Sequence, residues 1–363
     1  MNARRTTTLL AALTVAASFT ACSSNEATPA SEGGSSSTAA AGGEGTLVVY
    51  TNSNAEGRAE WLTEEAKKQG LTIQVVGQGG GDTTNKLLAE KNNPVADVVF
   101  GLNNVFYEQL EAADILEDYT PSWSAEVDAT KGDDDDNKSY WPIVEQGILL
   151  VYNTDKYTEA TAPKDWTDLW SKPQFKGRYQ SETSLGGATT RLVMAGILDR
   201  YKDESGEMGV SDEGWKQVQG YFDNGTPAEK DVDLYSRMAK GTVDMGQMNS
   251  SNVPKWEKTY NVTSKPVIPS VGVPYAIEQV ALVKGTKKAD DAKKFIDWFG
   301  SAEVQGAWSK KFQSMPVNKG AIAQADPSVV KFHEGLPQQK IDYTFVQEHI
   351  DEWVEKIELE YMK

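Results

Sequence analysis

Thr46-Leu47-Val48-Val49-Tyr50 is a short, apolar and partly β-branched run, and together with the fifty residues after it this run decides the fold. Successive apolar residues of this kind read as a strand buried on both faces. Thr51-Asn52-Ser53-Asn54 then makes a polar turn, and Glu56 to Gln69 repeats Ala59, Leu62 and Ala66 at helical spacing. Leu71 to Val76 is a second strand. Gly77 to Asp82 is a glycine-rich loop opening a helix from Thr83 to Lys91, and Ala96 to Phe100 is a third strand. Strand, helix, strand, helix, strand is the pattern of a parallel α/β sheet. In such sheets ligands bind beyond the carboxyl ends of the strands. The loops Thr51 to Asn54, Gly79 to Thr84 and Gly101 to Asn104 therefore surround one mouth, and all three are rich in hydroxyls, amides and glycines.

Further along, Gln146 to Asn153 is a continuous apolar strand, followed by a stretch containing Pro163, Trp166, Trp170 and Pro173. A crossing into a second lobe near residue 145 fits this change. The second lobe begins with the loop Ser181 to Thr190, which runs into a helix from Arg191 to Arg200. Ser and Thr at a helix start serve as caps, and free amides there favour an anion. Val243 to Met248 is a strand ending in Asn249-Ser250-Ser251-Asn252, and Glu278 to Val283 is a strand returning toward the first lobe. The remainder is helical: Ala289 to Phe299, Ala302 to Phe312, and Tyr343 to Tyr361 with Val346, Ile350, Trp353 and Ile357 on one face.

The amino terminus has a different character. Arg4 and Arg5 precede the apolar run Leu9 to Phe19 and small residues ending in Ala21-Cys22, the layout of a secretory signal. The run is about a dozen residues, whereas a spanning helix takes about twenty. Phe19-Thr20-Ala21-Cys22 resembles the bacterial lipobox, which implies a lipid on Cys22. Ser23 to Gly45 is mostly Ser, Ala, Gly, Thr and Glu and reads as a flexible tether. The expected organisation is thus a leader over 1–21 and a lipid-anchored tether over 22–45. Residues 46–145 then form the first part of lobe one, 146–275 form lobe two, and 276–363 return to lobe one with the C-terminal helices. About 320 residues after the tether is more than one core usually accommodates.

Composition narrows the chemistry. Cys22 is the only cysteine, so disulfides, thiol nucleophiles and thiolate metal sites are excluded once its sulfur is acylated. His333 and His349 stand apart from any second ligand at metal spacing. Cutting the leader removes Arg4 and Arg5 but no acid, leaving 34 basic against 53 acidic residues and a formal charge of −19. Nucleic acid and anionic membrane surfaces are poor partners for such a chain. Asp133 to Asn137 superficially resembles a calcium loop, but Lys138 stands where that loop requires glycine. No metal or cofactor is expected.

Several spaced segments together carry a family resemblance. Ala96-Asp97-Val98-Val99-Phe100-Gly101, Gly147 to Thr154, Pro163-Lys164-Asp165-Trp166-Thr167-Asp168-Leu169 with Phe175-Lys176-Gly177, Glu278 to Gly285, and Phe312-Gln313-Ser314-Met315-Pro316-Val317-Asn318 resemble the type II periplasmic solute-binding proteins of ABC importers. The similarity is greatest to the branch containing ferric-iron, phosphonate, sugar-phosphate and thiamine receptors. It implies an α/β fold of two Rossmann-like lobes joined by crossing strands, with ligand trapped between them and closure read by the importer. The implied protein is a monomer, anchored at the cell surface or in the periplasm through Cys22. It would capture a small molecule and pass it to an ABC permease and its ATPase, without touching nucleic acid.

The resemblance also suggests a ligand class. Ser184, Gly186, Gly187, Ala188 and Thr189 are similar to the anion cradle of phosphonate and phosphate-ester receptors, and Asn249, Ser250 and Ser251 add polar groups beside it. Glu278 would then bind a hydroxyl or an ammonium at the ligand's other end. With the loop residues Thr51, Asn52, Ser53, Gly81, Thr83 and Asn103 these complete the expected ligand-binding set. Ferric receptors place adjacent tyrosines where this chain has Asn249-Ser250-Ser251-Asn252, which leaves Tyr50, Tyr107, Tyr235 and Tyr275 as candidates for an iron site. Trp141, Trp256 and Tyr275 are the candidates for stacking on thiamine. Two other classes fit less well. An enzyme lacks support, because the chain has no Gly-x-Ser-x-Gly, no His-Glu-x-x-His and no phosphate loop with its lysine. A surface scaffold would show internal repeats, and none is present.

Overall fold

The computed structural model describes residues 45–133, 135–136 and 138–362. The expected leader, Cys22 and the tether up to residue 44 lie outside the described residues. The chain opens with β1 (Thr46–Thr51), α1 (Arg58–Lys68), β2 (Thr72–Gly77), α2 (Gly80–Ala89), β3 (Val98–Phe100), α3 (Asn104–Ala112) and β4 (Leu116–Glu117). Next come β5 (Tyr140–Asn153), α4 (Asp168–Ser171), β6 (Gln180–Ser181), α5 (Ala188–Leu198), β7 (Lys202–Glu207), α6 (Asp212–Asn224), β8 (Thr226–Pro227) and α7 (Leu234–Lys240). They lead to β9 (Met245–Asn249), α8 (Val253–Tyr260), β10 (Ser264–Pro266) and β11 (Tyr275–Val283). The last elements are α9 (Ala289–Phe299), α10 (Ala302–Phe312), β12 (Met315–Pro316), α11 (Lys319–Ile322), α12 (Pro327–Glu334) and α13 (Tyr343–Lys356).

β1 pairs in parallel with β2 and with β3, and β3 pairs antiparallel with β11. β11 in turn runs antiparallel to β4 and to the first half of β5. The fourteen-residue β5 serves two sheets. Its pairing with β11 ends at Gly147↔Tyr275, and its pairing with β9 begins at Ile148↔Asn249. The change of partner falls between Gly147 and Ile148, so β5 and β11 are the strands from which the two halves diverge.

The apolar runs are continuous because each strand is covered on both faces. Leu47 and Val49 of β1 pack with Leu62, Phe295 and Trp308, while Val48 and Tyr50 pack with Leu87, Phe106 and Tyr107. β5 repeats the arrangement: Ile148, Leu150 and Tyr152 meet Trp166, Leu192 and Val218, and Leu149 and Val151 meet Leu234, Met238 and Val243. α9 and α10 cover the first sheet with Phe299, Trp308 and Phe312. α13 instead buries Val346, Ile350 and Trp353 in the cluster of Leu192 and Trp215, a placement that its position after the returning strand does not announce. It also reaches α3, where Gln109 Nε2 donates to Asp351 at 3.2 Å.

Candidate ligand-binding cleft

The carboxyl ends of β1, β3 and β9, the N-termini of α2 and α5, and the middle of β5 and β11 enclose a cleft of about 300 Å³. This is the small end of the range that ligand pockets occupy. Of the fourteen residues expected from sequence, Asn52, Ser53, Asn103, Gly187, Thr189, Asn249, Ser251 and Glu278 line it. The other six do not. Thr51 Oγ1 is turned to the backbone N–H of Ser53, 2.8 Å away. Gly81 and Thr83 lie further along α2, beyond the lining residues Gly79 and Gly80. Ser184 Oγ accepts from Gly186 N within its own loop, and both residues are exposed. Ser250 sits behind the cleft, where its hydroxyl accepts from Gly147 N at 3.1 Å and lies 3.1 Å from His333 Nε2.

Three side chains that sequence reading did not select complete the wall: Glu56, Arg58 and Gln146. Glu56 and Gly57 both adopt left-handed backbone, with φ of 61° and 81°. This turn brings Arg58, the first residue of α1, back toward the end of β1. Glu56 Oε1 then accepts from Lys255 of α8 at 2.6 Å, while its Oε2 lies 3.4 Å from Arg58 Nη1. Gln146 links two cleft residues: its Oε1 accepts from the Ser251 hydroxyl at 2.6 Å and its Nε2 donates to Glu278 Oε1 at 2.5 Å. Burial pushes the Glu278 carboxyl above the usual carboxylate range, against the opposing pull of Arg58, Gln146 and Ser53.

The helices that begin at the cleft share one feature. α2, α3 and α5 begin at Gly79, Asn103 and Gly187 with no side-chain cap. Away from it, α6, α7, α10, α12 and α13 are capped by Ser211, Asp233, Ser301, Asp326 and Asp342, whereas α4 and α9 begin without a side-chain cap. Uncapped first-turn amides carry partial positive charge and are ready to receive an anion's oxygens. The Oδ1 atoms of Asn52 and Asn103 are different in kind: each is a buried acceptor without a partner, which calls for a donor rather than an anion.

The aromatic candidates are committed elsewhere. Tyr50 bonds Glu90, Tyr107 bonds the carbonyls of Val99 and Gln279, Tyr235 bonds Ser264, and Tyr275 bonds the Leu336 carbonyl beside His333. Trp141 donates to the Tyr119 carbonyl, and Trp256 stacks on Tyr260. Among the described residues no tyrosine or tryptophan lines the cleft. Within the 133–137 segment the Asp133 carboxylate accepts from the amides of Asp135 and Ser139, and Lys138 donates to the Asp133 carbonyl.

A two-sheet α/β body with a polar cleft where shared strands diverge is the architecture of a type II solute-binding protein, the class that serves ABC importers. Residues 60–334 match the family model of bacterial extracellular solute-binding proteins, and the chain belongs to that family. It is 33% identical over 319 residues to the "Probable ABC transporter periplasmic-binding protein y4fP" of Sinorhizobium fredii, covering 87% of this chain and 86% of that one. It is 26% identical over 285 residues to the "Putative 2-aminoethylphosphonate-binding periplasmic protein" of Salmonella typhi, with 76% and 79% covered. Among solved structures, iron-bound HitA of Pseudomonas aeruginosa superposes with a TM-score of 0.70 at 20% identity, over 86% of this chain and 98% of that one. The family and these relatives are binding proteins, and the likeness to HitA concerns the fold.

Proposed function

We propose that this protein captures a small solute bearing a phosphonate or phosphate-ester group and delivers it to an ABC permease, held at the membrane by a lipid on Cys22. The observation that carries the ligand class is the convergence of three uncapped helix N-termini on one small cleft. Backbone amides can bind a tetrahedral oxyanion without a cluster of basic side chains, which suits a strongly acidic chain. The hydroxyls of Ser53, Thr189 and Ser251 lie on the same wall, where they donate to Glu278, Asn249 and Gln146 and would have to exchange those partners to reach an anion. The relative from Salmonella typhi, named for 2-aminoethylphosphonate, supports the same class. Among the described residues no phenol or aromatic ring lines the cleft to receive iron or thiamine.

The test is a thermal-shift and calorimetric panel of sugar phosphates, glycerol phosphate, 2-aminoethylphosphonate, thiamine and chelated ferric iron. A ligand at about a hundred times its Kd adds about 2.7 kcal/mol of stability. Stabilisation by a phosphoryl or phosphonate compound, weakened in Thr189→Ala or Ser251→Ala, is the expected result. A response to ferric iron or thiamine alone would overturn the ligand class. The anchor is tested separately by mass spectrometry of the mature N-terminus in wild type and Cys22→Ala.

A further inference from the structure

Resting on the reading that the cleft takes a phosphoryl-bearing solute, we infer that this solute is a zwitterion, with a protonated primary amine received by Glu278 opposite the anion at the helix N-termini. Three observations carry the inference. The first is polarity. The Ser251 hydroxyl occupies Gln146 Oε1, which leaves Nε2 to face Glu278 and fixes that carboxylate oxygen as an acceptor.

The second is charge. The charged side chains on the cleft surface are Glu56, Arg58 and Glu278. Glu56 is matched by Lys255 and lies 3.4 Å from Arg58, whereas Glu278, 7% exposed, makes no ion pair among the described residues and feels Arg58 only without contact. An anion held by amide dipoles brings no counter-charge to Glu278, and a buried ionised carboxylate without one is costly. An ammonium on the same ligand supplies it. A hydroxyl would satisfy the hydrogen bond and leave the charge unmatched.

The third is the company Glu278 keeps. Asn52 lies just past β1, Asn103 just past β3, and Glu278 on β11, which pairs with β3. Gly101 N bonds Gln279 O at 2.9 Å and Gln279 N bonds Leu102 O at 3.0 Å, so the β3 loop is held beside Glu278. Asn52 and Asn103, the latter 3% exposed, line the cleft and carry amide oxygens without a donor. An ammonium has three donors to offer, and one carboxylate and two amide oxygens stand ready as acceptors around this end of the cleft.

Calorimetry with 2-aminoethylphosphonate, ethylphosphonate and 2-hydroxyethylphosphonate tests this directly. The amine is expected to bind about thirtyfold tighter than either analogue, the loss typical of an unpaired buried charge. Glu278→Gln should erase most of that preference. If the Gln variant does not fold, Glu278→Asp, which withdraws the carboxylate by one methylene, should lower the preference instead. Equal binding of the three compounds by wild type, or a preference that survives Glu278→Gln, overturns the inference and leaves the phosphoryl reading standing. If no phosphonate binds, the phosphoryl reading fails, and 4-aminobutyrate against butyrate decides the amine: a preference lost in Glu278→Gln supports it, while parity or no binding overturns it.

Discussion

Gln146 Nε2 lies 2.5 Å from Glu278 Oε1, across the pair of strands from which the two halves of the molecule diverge. The same amide accepts from Ser251, at the carboxyl end of β9 in the other half. One side chain therefore ties both walls of the cleft to its buried carboxylate. Gln146→Leu preserves bulk and removes both bonds. It leaves Glu278 and Ser251 short of a partner, and hydrogen bonds to charged groups contribute about 1.5–3 kcal/mol. We expect ligand affinity to fall by at least about tenfold in calorimetry, with a thermal midpoint lowered by several degrees.

Gly101 should be the least replaceable residue of the cleft. Its φ of 90° lies in the left-handed region, and an added Cβ would stand 2.9 Å from Thr51 Oγ1, Asn52 Oδ1 and Ser53 Cβ. Gly101→Ala thus adds backbone strain to a clash with the adjoining loop, a combined cost of about 1–3 kcal/mol or more. Urea denaturation should show that loss, and titration should show a cleft that no longer binds.

The strands were legible in the sequence because burial on both faces writes an uninterrupted apolar run, as in Leu47 to Tyr50 and Ile148 to Tyr152. The mouth was legible because polar loops come directly after those runs. The sequence did not disclose which way neighbouring polar residues turn. Ser250 and Ser251 are chemically identical, yet one backs onto His333 and the other meets Gln146. Ser184 and Gly187 are three residues apart, and only Gly187 reaches the cleft. Glu56 and Arg58 read as ordinary charges at the start of an exposed helix. Their place in the wall depends on two consecutive left-handed residues, one of them a glutamate that carries no turn signature of its own.

The Glu56–Lys255 pair spans the cleft rim at 2.6 Å and should act on release rather than recognition. Both partners are partly exposed, so the contact is worth about 0.2–1 kcal/mol and is screened by salt. Lys255→Met should speed ligand dissociation by about two- to fivefold in stopped-flow measurements at low ionic strength. At about 1 M salt, wild type and variant should converge. A difference that persists there would assign the effect to lost packing of the lysine stem on Trp256, whose ring lies 4.3 Å from the ammonium.

His333 should set the acid limit of the fold. It is 6% exposed, between Ser250 and Tyr275, and burial, with Lys131 adding to it, holds the imidazole down to about 4. In the unfolded chain the ring titrates at about 6.5, so between these values the unfolded state binds the extra proton. Stability is therefore fully present above about pH 6.5, declines as pH falls toward about 4, and is lost to this group below that. The depression amounts to about 3 kcal/mol across the window. Denaturant unfolding at about pH 7.5 and about pH 4.5 should show most of that loss in wild type. His333→Gln keeps a polar partner for Ser250 and has no proton to take up, so its stability should change less over the same interval. If the two proteins lose stability in parallel, the acid sensitivity resides elsewhere, and Glu111, pushed up to about 8 chiefly by burial, is not its source: a carboxyl with a raised pKa stabilises the fold on acidification.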